Sequence, residues 1–244
     1  MQYRLLLEYD GTEYHGWQRQ PDARTLQEVL ETALATVLRH PARLHAAGRT
    51  DAGVHALGQV ATFRTEGVVE PRELRKALNA LTPPDIAVRE VAPVAESFDA
   101  RRSATSRVYE YRIWNQPWRS PFWHRYTWHV PRSLNVRAMR TAAAVLVGEH
   151  DFSAFRAADC ESASRVRRVL HSGFTETDNM CTYRIQGNAF LKHMVRTIVG
   201  TLVAVGDGEL GIDDVGAILR GRDRTRAGAT VPPQGLCLVA VSYD

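Results

Sequence analysis

A short loop bracketed by two glycines carries the side chains best suited to chemistry. Its members are Gly48, Arg49, Thr50, Asp51 and Gly53, with His55 just beyond. Loops on a rigid scaffold often carry function, and this one can hold an ionised carboxylate at the edge of a sheet beside hydrogen-bond donors. Asp51 is the candidate carboxylate. An aspartate between glycines is also a common turn former, so both interpretations stay open at this point.

Two tyrosines, Tyr109 and Tyr111, alternate along a predicted strand and therefore share one face of it. One interpretation is a pair of core aromatic residues. The other is a platform on which a nucleic-acid base stacks, with a phenol close to the reacting base.

The third candidate is Arg196, which lies beside Met194, Val195 and Ile198 in an otherwise apolar helical segment. A buried arginine needs an anionic partner. A structural ion pair or a solvated helix edge would satisfy it, and so would a nucleic-acid phosphate. Under the functional interpretation Asp51 is the candidate partner.

The elements that position these residues begin with the order β-α-β-β-α-β, the ferredoxin-like plan. Alternation over Tyr3–Tyr9 predicts a strand. A capping box at Thr25–Glu28 opens a helix that runs to about Leu38, and Pro71 marks the start of a helix that ends before Pro83. The other predicted strands of this half lie near residues 43–47, 59–63 and 86–94.

The second half repeats this order of elements without repeating the sequence. The predicted elements are a strand at 107–115, a helix at 136–147, a hairpin of 167–176 and 181–187 that turns at Asp178-Asn179, helices at 190–205 and 212–219, and a closing strand at 235–242. The fold class is therefore α+β, with two ferredoxin-like halves whose antiparallel sheets flank a central cleft. The predicted lobes are residues 1–104, which carry the Asp51 loop, and residues 105–244, which carry the tyrosine strand and the Arg196 helix.

The charge pattern favours a nucleic-acid partner. The chain has 31 basic and 27 acidic residues, a net charge of +4, and its only lysines are Lys76 and Lys192. Between Arg101 and Arg125 there are six arginines against one acid, Glu110, and six aromatic residues interleave with them. Arginine suits phosphates and aromatic rings stack on bases, although a core strand followed by a solvated loop would look similar.

Several classes of protein and site are not predicted. The three scattered cysteines form no C-x-x-C pair, which argues against a disulfide framework and a zinc site. The run Gly206–Gly211 fits G-x-G-x-x-G, but a helical segment precedes it, so we interpret it as a loop between helices. No apolar run approaches the roughly 18 residues of a membrane span. Glu8 and Asp10 argue against a secretory signal, so a soluble cytoplasmic protein is expected.

Motifs along the chain together resemble those of one known family. The run Gly48–Ala56 resembles the active-site motif of the tRNA pseudouridine synthase A family, and Tyr9–Gln20 resembles that family's N-terminal strand and loop. Further matches follow in order along essentially the whole chain: Ala100-Arg101 with Ser103-Ala104, Tyr109 and Tyr111, Asp151-Phe152 with Phe155-Arg156, Asn188–Leu191 with Met194–Arg196, and Asp223–Thr225 before Gly235-Leu236. Asp99 departs from the pattern, because it stands where the family's Phe-His-Ala-Arg run has histidine, and Lys192 occupies a variable position.

The resemblance implies a cofactor-independent isomerase that converts uridine to pseudouridine at positions 38, 39 and 40 of the tRNA anticodon stem-loop. It also implies the pseudouridine synthase fold, a homodimer that holds tRNA across both subunits, and no metal, membrane or DNA partner.

The resemblance further assigns roles to residues. It makes Asp51 the essential carboxylate and nucleophile. Attack on C1′, addition to the uracil ring and removal of the ribose 2′ proton all stay open. Tyr109 would lie against the uracil and serve as a base for the C5 proton. Arg196 would hold the charge of Asp51, and Arg49 and His55 would support the loop or contact phosphates.

Two alternatives from other classes stay open. One is a non-catalytic RNA-binding module, and the other is a hydrolase of the glycosidic bond. A carboxylate that faces RNA costs binding affinity unless it has a chemical task, so Asp51 argues against the first.

Overall fold

The computed structural model describes residues 1–177 and 179–243. The chain forms two compact units: the first is Met1–Thr105 together with the chain from Cys237 onward, and the second is Ser106–Leu236. The strands are β1 Gln2–Tyr9, β2 His45–Ala46, β3 His55–Arg64, β4 Ile86–Val94, β5 Ala104–Trp114, β6 Trp128–His129, β7 Gly148–Asp151, β8 Val166–Thr177, β9 Met180–Gly187 and β10 Leu236–Tyr243. The helices are α1 Leu26–Leu38, α2 Pro71–Leu81, α3 Val136–Ala144, α4 Met194–Gly206 and α5 Ile212–Gly221.

The sheet of the first unit has β1 between β4 and β3, antiparallel to both. The short β2 pairs with β3 in the antiparallel sense, and β10 pairs with β3 in the parallel sense. Alternate residues of β1 are buried because successive side chains of a strand point to opposite faces. These buried residues are Tyr3, Leu5, Leu7 and Tyr9.

Both helices of the first unit begin at the residues that the sequence predicts. The Thr25 hydroxyl accepts a hydrogen bond from the Glu28 amide and caps α1. The Glu70 carboxylate accepts from the Glu73 amide before α2, whose first residue is Pro71. Each helix turns an apolar face inward, and α2 packs against both α1 and β4.

The second unit is built on an antiparallel arrangement of β5, β9, β8 and β7 in that order, and β6 adds to β5 in the parallel sense. The strand pair β8 and β9 confirms the predicted hairpin. Asn179 lies in its turn, whereas Asp178 falls outside the described residues. The sequence pattern does not predict β6 and β7, because these strands have only two and four residues.

Two predictions about the second half need correction. The closing strand, β10, groups with the first unit, since it pairs with β3 through Cys237 and His55. The helix predicted to begin at Phe190 begins at Met194. His193 adopts a left-handed conformation with φ 62°, so the preceding residues form a loop.

The glycine-rich run at residues 206–211 is a loop between helices, as predicted. Gly206 is the last residue of α4 and Gly211 precedes α5, where its amide donates to the Asp214 carboxylate at 2.7 Å. Among the described residues, no helix combines the length and the apolar character that crossing a membrane requires.

Candidate active site

Asp51 lies in the loop that joins β2 to β3, and it is half-buried. Its backbone carbonyl accepts a hydrogen bond from the Val54 amide at 3.1 Å, which closes a tight turn. Gly53 adopts φ 76° in this turn, a conformation that favours glycine. The turn therefore gives the Asp51 backbone one defined path.

A second loop, residues 10–20, packs against the Asp51 loop. The Trp17 amide donates to the Thr50 carbonyl at 3.0 Å, and the Gly53 amide donates to the Tyr14 carbonyl at 3.3 Å. Gly16 has φ 85°, and a Cβ atom there would lie 2.7 Å from the Thr50 carbonyl oxygen. Only glycine permits this close approach, so the two segments that resemble one family's motifs form one structural cluster.

His55 is buried at the start of β3 and connects the same two loops. Its Nδ1 atom lies 3.1 Å from the Gly11 amide and 3.1 Å from the Asp10 carboxylate. These contacts hold the two loops together. Arg49, in contrast, is exposed on the Asp51 loop.

A buried polar chain was not foreseen from the sequence. The Gln59 side chain on β3 reaches the Gly48 carbonyl and the Tyr9 hydroxyl, which in turn contacts the Thr50 hydroxyl. The available signal was a glutamine inside the otherwise apolar stretch of β3. This chain meets the Asp51 loop at two points.

In the second unit Tyr109 and Tyr111 are both buried on β5, but their surroundings differ. The Tyr109 ring meets Phe190 edge to face, with 5.2 Å between ring centroids. The Tyr111 hydroxyl donates to the Pro232 carbonyl at 2.8 Å. Burial raises the pKa of the Tyr111 phenol well above its usual value, and the positive charge of Arg196 opposes that rise.

Arg196 occupies the first turn of α4 and is half-buried. Its Nε atom donates to the Val231 carbonyl at 2.8 Å, which fixes the plane of the guanidinium group. The structure thus brings Arg196, Tyr111 and the 231–232 backbone together within the second unit. Asp51 belongs to the first unit, and its ion pair with Arg196 stays a prediction.

The arginines between Arg101 and Arg125 differ in exposure, so they do not form a single surface. Arg107 is buried and donates to the Asn188 carbonyl at 2.6 Å, and this burial argues against a phosphate contact through Arg107. The side chains of Arg101, Arg102, Arg119 and Arg125 are exposed. Of the interleaved aromatic residues, Tyr109, Tyr111 and Trp114 are buried, whereas Trp118, Phe122 and Trp123 are exposed.

The departure at Asp99 has a local structural role. Its carboxylate accepts hydrogen bonds from the backbone amides of Arg101 and Arg102, at 2.9 and 2.7 Å, and its own amide donates to the Ser103 hydroxyl. Asp99 therefore orders the turn that carries two exposed arginines.

No group of three or more histidine, cysteine, aspartate or glutamate side chains within residues 1–177 and 179–243 could hold a metal ion. The three cysteines are buried, and none of them is part of a disulfide.

Comparison with known proteins places the chain among RNA-modifying enzymes. A family model described as tRNA pseudouridine synthase matches residues 6–101 and 142–244. The protein called tRNA pseudouridine synthase A of Geotalea daltonii is 46% identical over 240 residues, which cover 98% of this chain and 98% of the relative. The proteins of the same name from Geobacter sulfurreducens and Thermoanaerobacter sp. (strain X514) are 47% and 44% identical, again with 98% of each chain covered.

A solved structure called a Cbf5-Nop10-Gar1 complex is 10% identical, with a TM-score of 0.35. The likeness covers 82% of this chain and 53% of that one.

Proposed function

The chain belongs to the tRNA pseudouridine synthase family, and we propose that it converts uridine to pseudouridine at positions 38, 39 and 40 of the tRNA anticodon stem-loop. It is an isomerase that acts on uridine in tRNA. The observation that carries the proposal is Asp51, a half-buried carboxylate in a loop that the neighbouring 10–20 loop holds in place. The close relatives do not favour a non-catalytic RNA-binding module.

The proposed reaction breaks the bond between N1 and C1′, turns the uracil and joins C5 to C1′. C5 loses its proton and N1 takes up a proton, so the composition of the RNA does not change. The reaction transfers no electrons, and we propose that it runs without a cofactor. The uridine must first leave its stack. Asp51 acts as the nucleophile, at C1′ or on the uracil ring, or alternatively removes the 2′ proton.

Tyr109 and Arg196 complete the proposed machinery. Tyr109 lies against the uracil and takes the C5 proton, because a positioned phenol can act as a general base. Arg196 holds the Asp51 carboxylate in its charged form. Arg49 contacts a phosphate from its exposed position, and His55 supports the loop.

We propose ferredoxin-like lobes as the scaffold, with residues 1–104 and the chain from Cys237 onward in the first lobe and residues 105–236 in the second. The order β4, β1, β3 with β2 beside β3 supports this plan for the first lobe. We propose that the protein works in the cytoplasm, because its cysteines are thiols rather than disulfides, as is typical of a reducing compartment, and because its substrate is tRNA.

We also propose a homodimer, and the 117–126 segment of the second unit supports it. Four large apolar side chains are exposed there: Trp118, Phe122, Trp123 and Tyr126. Phe122 is 85% exposed, and Arg119 and Arg125 lie between the aromatic residues. Aromatic residues and arginine are enriched in protein interfaces, whereas lysine, glutamate and aspartate, all absent from this segment, are depleted.

Analytical ultracentrifugation of Phe122→Ser tests the homodimer. Val68→Ser is the matched control, because Val68 is 83% exposed in the first unit. We expect only Phe122→Ser to shift the protein towards monomer. Weakened tRNA binding by an unchanged dimer would instead identify the segment as an RNA surface.

The central experiment is tritium release from tRNA that carries 5-[³H]uridine. We expect release by the wild-type protein and none above background by Asp51→Asn, which keeps the size of the side chain and removes its charge. Binding of tRNA by the variant should stay within about tenfold, or about 1.4 kcal/mol. Near wild-type release by Asp51→Asn would contradict the assignment.

The positions within the stem-loop need their own test. Stem-loops with a single labelled uridine at position 38, 39 or 40 should each release tritium, and a stem-loop whose labelled uridine lies elsewhere should not. Loss of uracil mass from the RNA would indicate a hydrolase.

A further inference from the structure

One completely buried side chain, Gln59, is bonded to the beginning of the Asp51 loop. Its Nε2 atom donates to the Gly48 carbonyl at 2.7 Å and to the Tyr9 hydroxyl at 3.3 Å. Its Oε1 atom accepts from the Val60 amide at 3.2 Å. Because an amide N–H only donates and a carbonyl only accepts, these contacts fix the orientation of the Gln59 side chain.

The next bond joins two hydroxyl groups. The Tyr9 hydroxyl, which accepts from Gln59, lies 2.9 Å from the Thr50 hydroxyl, and either of the two can be the donor. The chain therefore runs from Gln59 through Tyr9 to Thr50. All three residues are buried, and Thr50 immediately precedes Asp51.

Fold stability alone is a weak reason for this arrangement. A buried amide and a buried phenol are costly unless they are fully hydrogen-bonded, and an apolar side chain of similar volume on β3 would avoid that cost. The polar chain forms hydrogen bonds with the Gly48 carbonyl and the Thr50 hydroxyl. The Thr50 carbonyl accepts a separate hydrogen bond from the Trp17 amide. The residue before Asp51 is thus fixed at both its hydroxyl and its carbonyl.

We propose that Gln59, Tyr9 and Thr50 are positioning residues that set the place of the Asp51 carboxylate. This inference rests on the proposed function, because it gives the polar chain a task only if Asp51 reacts with uridine. We assign these three residues no contact with the uridine, because their side chains are buried. They act through the peptide backbone between Gly48 and Asp51.

Tyr9→Phe tests the centre of the chain, because it removes the hydroxyl and keeps the ring that packs beside Trp17. Displacing a catalytic group by about 1 Å costs up to about a hundredfold, so we expect kcat for pseudouridine formation to fall about ten- to a hundredfold. The Kd for tRNA should change less than about twofold, because the variant keeps the contacts that bind tRNA and changes only the position of the Asp51 carboxylate.

Tyr3→Phe is the matched control. Tyr3 is equally buried on the same strand, and its hydroxyl accepts from the Val69 amide at 2.8 Å and donates to the Val69 carbonyl at 3.1 Å. Its loss should lower Tm about as much as Tyr9→Phe does and leave kcat unchanged. Equal kcat values for the two variants, measured well below both Tm values, would overturn the inference.

A second pair of variants decides the matter if Tyr9→Phe folds poorly. Thr50→Ser keeps the hydroxyl and should keep kcat, whereas Thr50→Val replaces the hydroxyl with a methyl group and should lose kcat as Tyr9→Phe does. Equal activity of the serine and valine variants would overturn the inference. An inactive wild-type protein would instead overturn the proposed function, and the inference would fall with it.

Discussion

The Tyr111 hydroxyl donates a hydrogen bond to the Pro232 carbonyl at 2.8 Å, whereas the ring of Tyr109 packs edge to face against Phe190. Burial raises the pKa of the Tyr111 phenol well above its usual value, which makes it a poor proton acceptor near neutral pH. Gly235 lies so close that a Cβ atom there would be 2.6 Å from the Tyr111 ring. Tyr111 is therefore part of the packing of the second unit.

This difference makes the two tyrosines a matched pair for substitution. Tyr109→Phe should still bind tRNA but stall before release of the C5 proton, because the ring remains and the phenol is lost. Tyr111→Phe should lower the free energy of unfolding by about 1 kcal/mol, the usual value of one hydrogen bond, and leave kcat unchanged. Tritium release and urea unfolding measure the two effects. Rapid tritium release by Tyr109→Phe would remove its phenol from the mechanism.

The sequence predicts secondary-structure elements correctly where the signals come from neighbouring residues. The capping residue Thr25 and the helix-starting Pro71 mark the helix starts of the first unit, and the strand predicted at 86–94 is β4. The Asp51 loop was also found locally, because its glycines and polar residues are contiguous. Such features depend on neighbours within a few residues.

Contacts between residues far apart in the chain could not be predicted from the sequence. The pairing of β10 with β3 joins Cys237 to His55, and no local pattern reports a partner so far along the chain. Arg107 has the sequence surroundings of an RNA contact, yet the Asn188 carbonyl is its partner. Gln59 became informative only after folding had brought Gly48 and Tyr9 to it.

The predicted ion pair between Asp51 and Arg196 can be tested without activity. A half-buried guanidinium gains from an anionic neighbour, so a double-mutant cycle of Asp51→Asn and Arg196→Gln should give a coupling energy of about 0.5–3 kcal/mol in urea unfolding. Additive effects of the two substitutions would show that the residues do not interact. Arg140→Gln is a control partner for the same cycle, because Arg140 contacts the Phe174 carbonyl.

Metal removal should have no effect on turnover. The proposed reaction transfers no electrons and needs no metal-bound water, so activity after EDTA treatment and dialysis should match that of untreated protein. A prefolded anticodon stem-loop is the substrate of choice, because magnesium helps a full tRNA to fold. Loss of single-turnover activity that zinc restores would contradict the expectation.

The turn ordered by Asp99 predicts a salt effect. Arg101 and Arg102 are exposed there, and if both contact phosphates, the double variant to glutamine should flatten the dependence of log K on log salt by about 0.7–0.9 per contact. The kcat at saturating tRNA should not change. Arg72→Gln with Lys76→Gln, which removes two exposed charges from α2 of the same unit, should leave the slope as it is. An unchanged slope in the Arg101 and Arg102 variant would exclude phosphate contacts at this turn.

Asp99 itself should make stability depend on pH. Burial alone would raise the pKa of this carboxyl, but the Arg102 and Arg101 amides, together with the charges of Arg102 and His45, hold it below the usual value. A carboxyl with a lowered pKa stabilises the folded state above its unfolded pKa of about 3.9, and that contribution disappears as the pH falls through the folded value. We therefore expect Asp99→Asn to lower Tm at pH 7, and the difference from wild type to shrink towards pH 3. Glu66→Gln, a change at an exposed carboxylate, should show no such trend. A Tm difference for Asp99→Asn that is constant from pH 7 to pH 3 would mean that the hydrogen bonds of Asp99 matter and its charge does not.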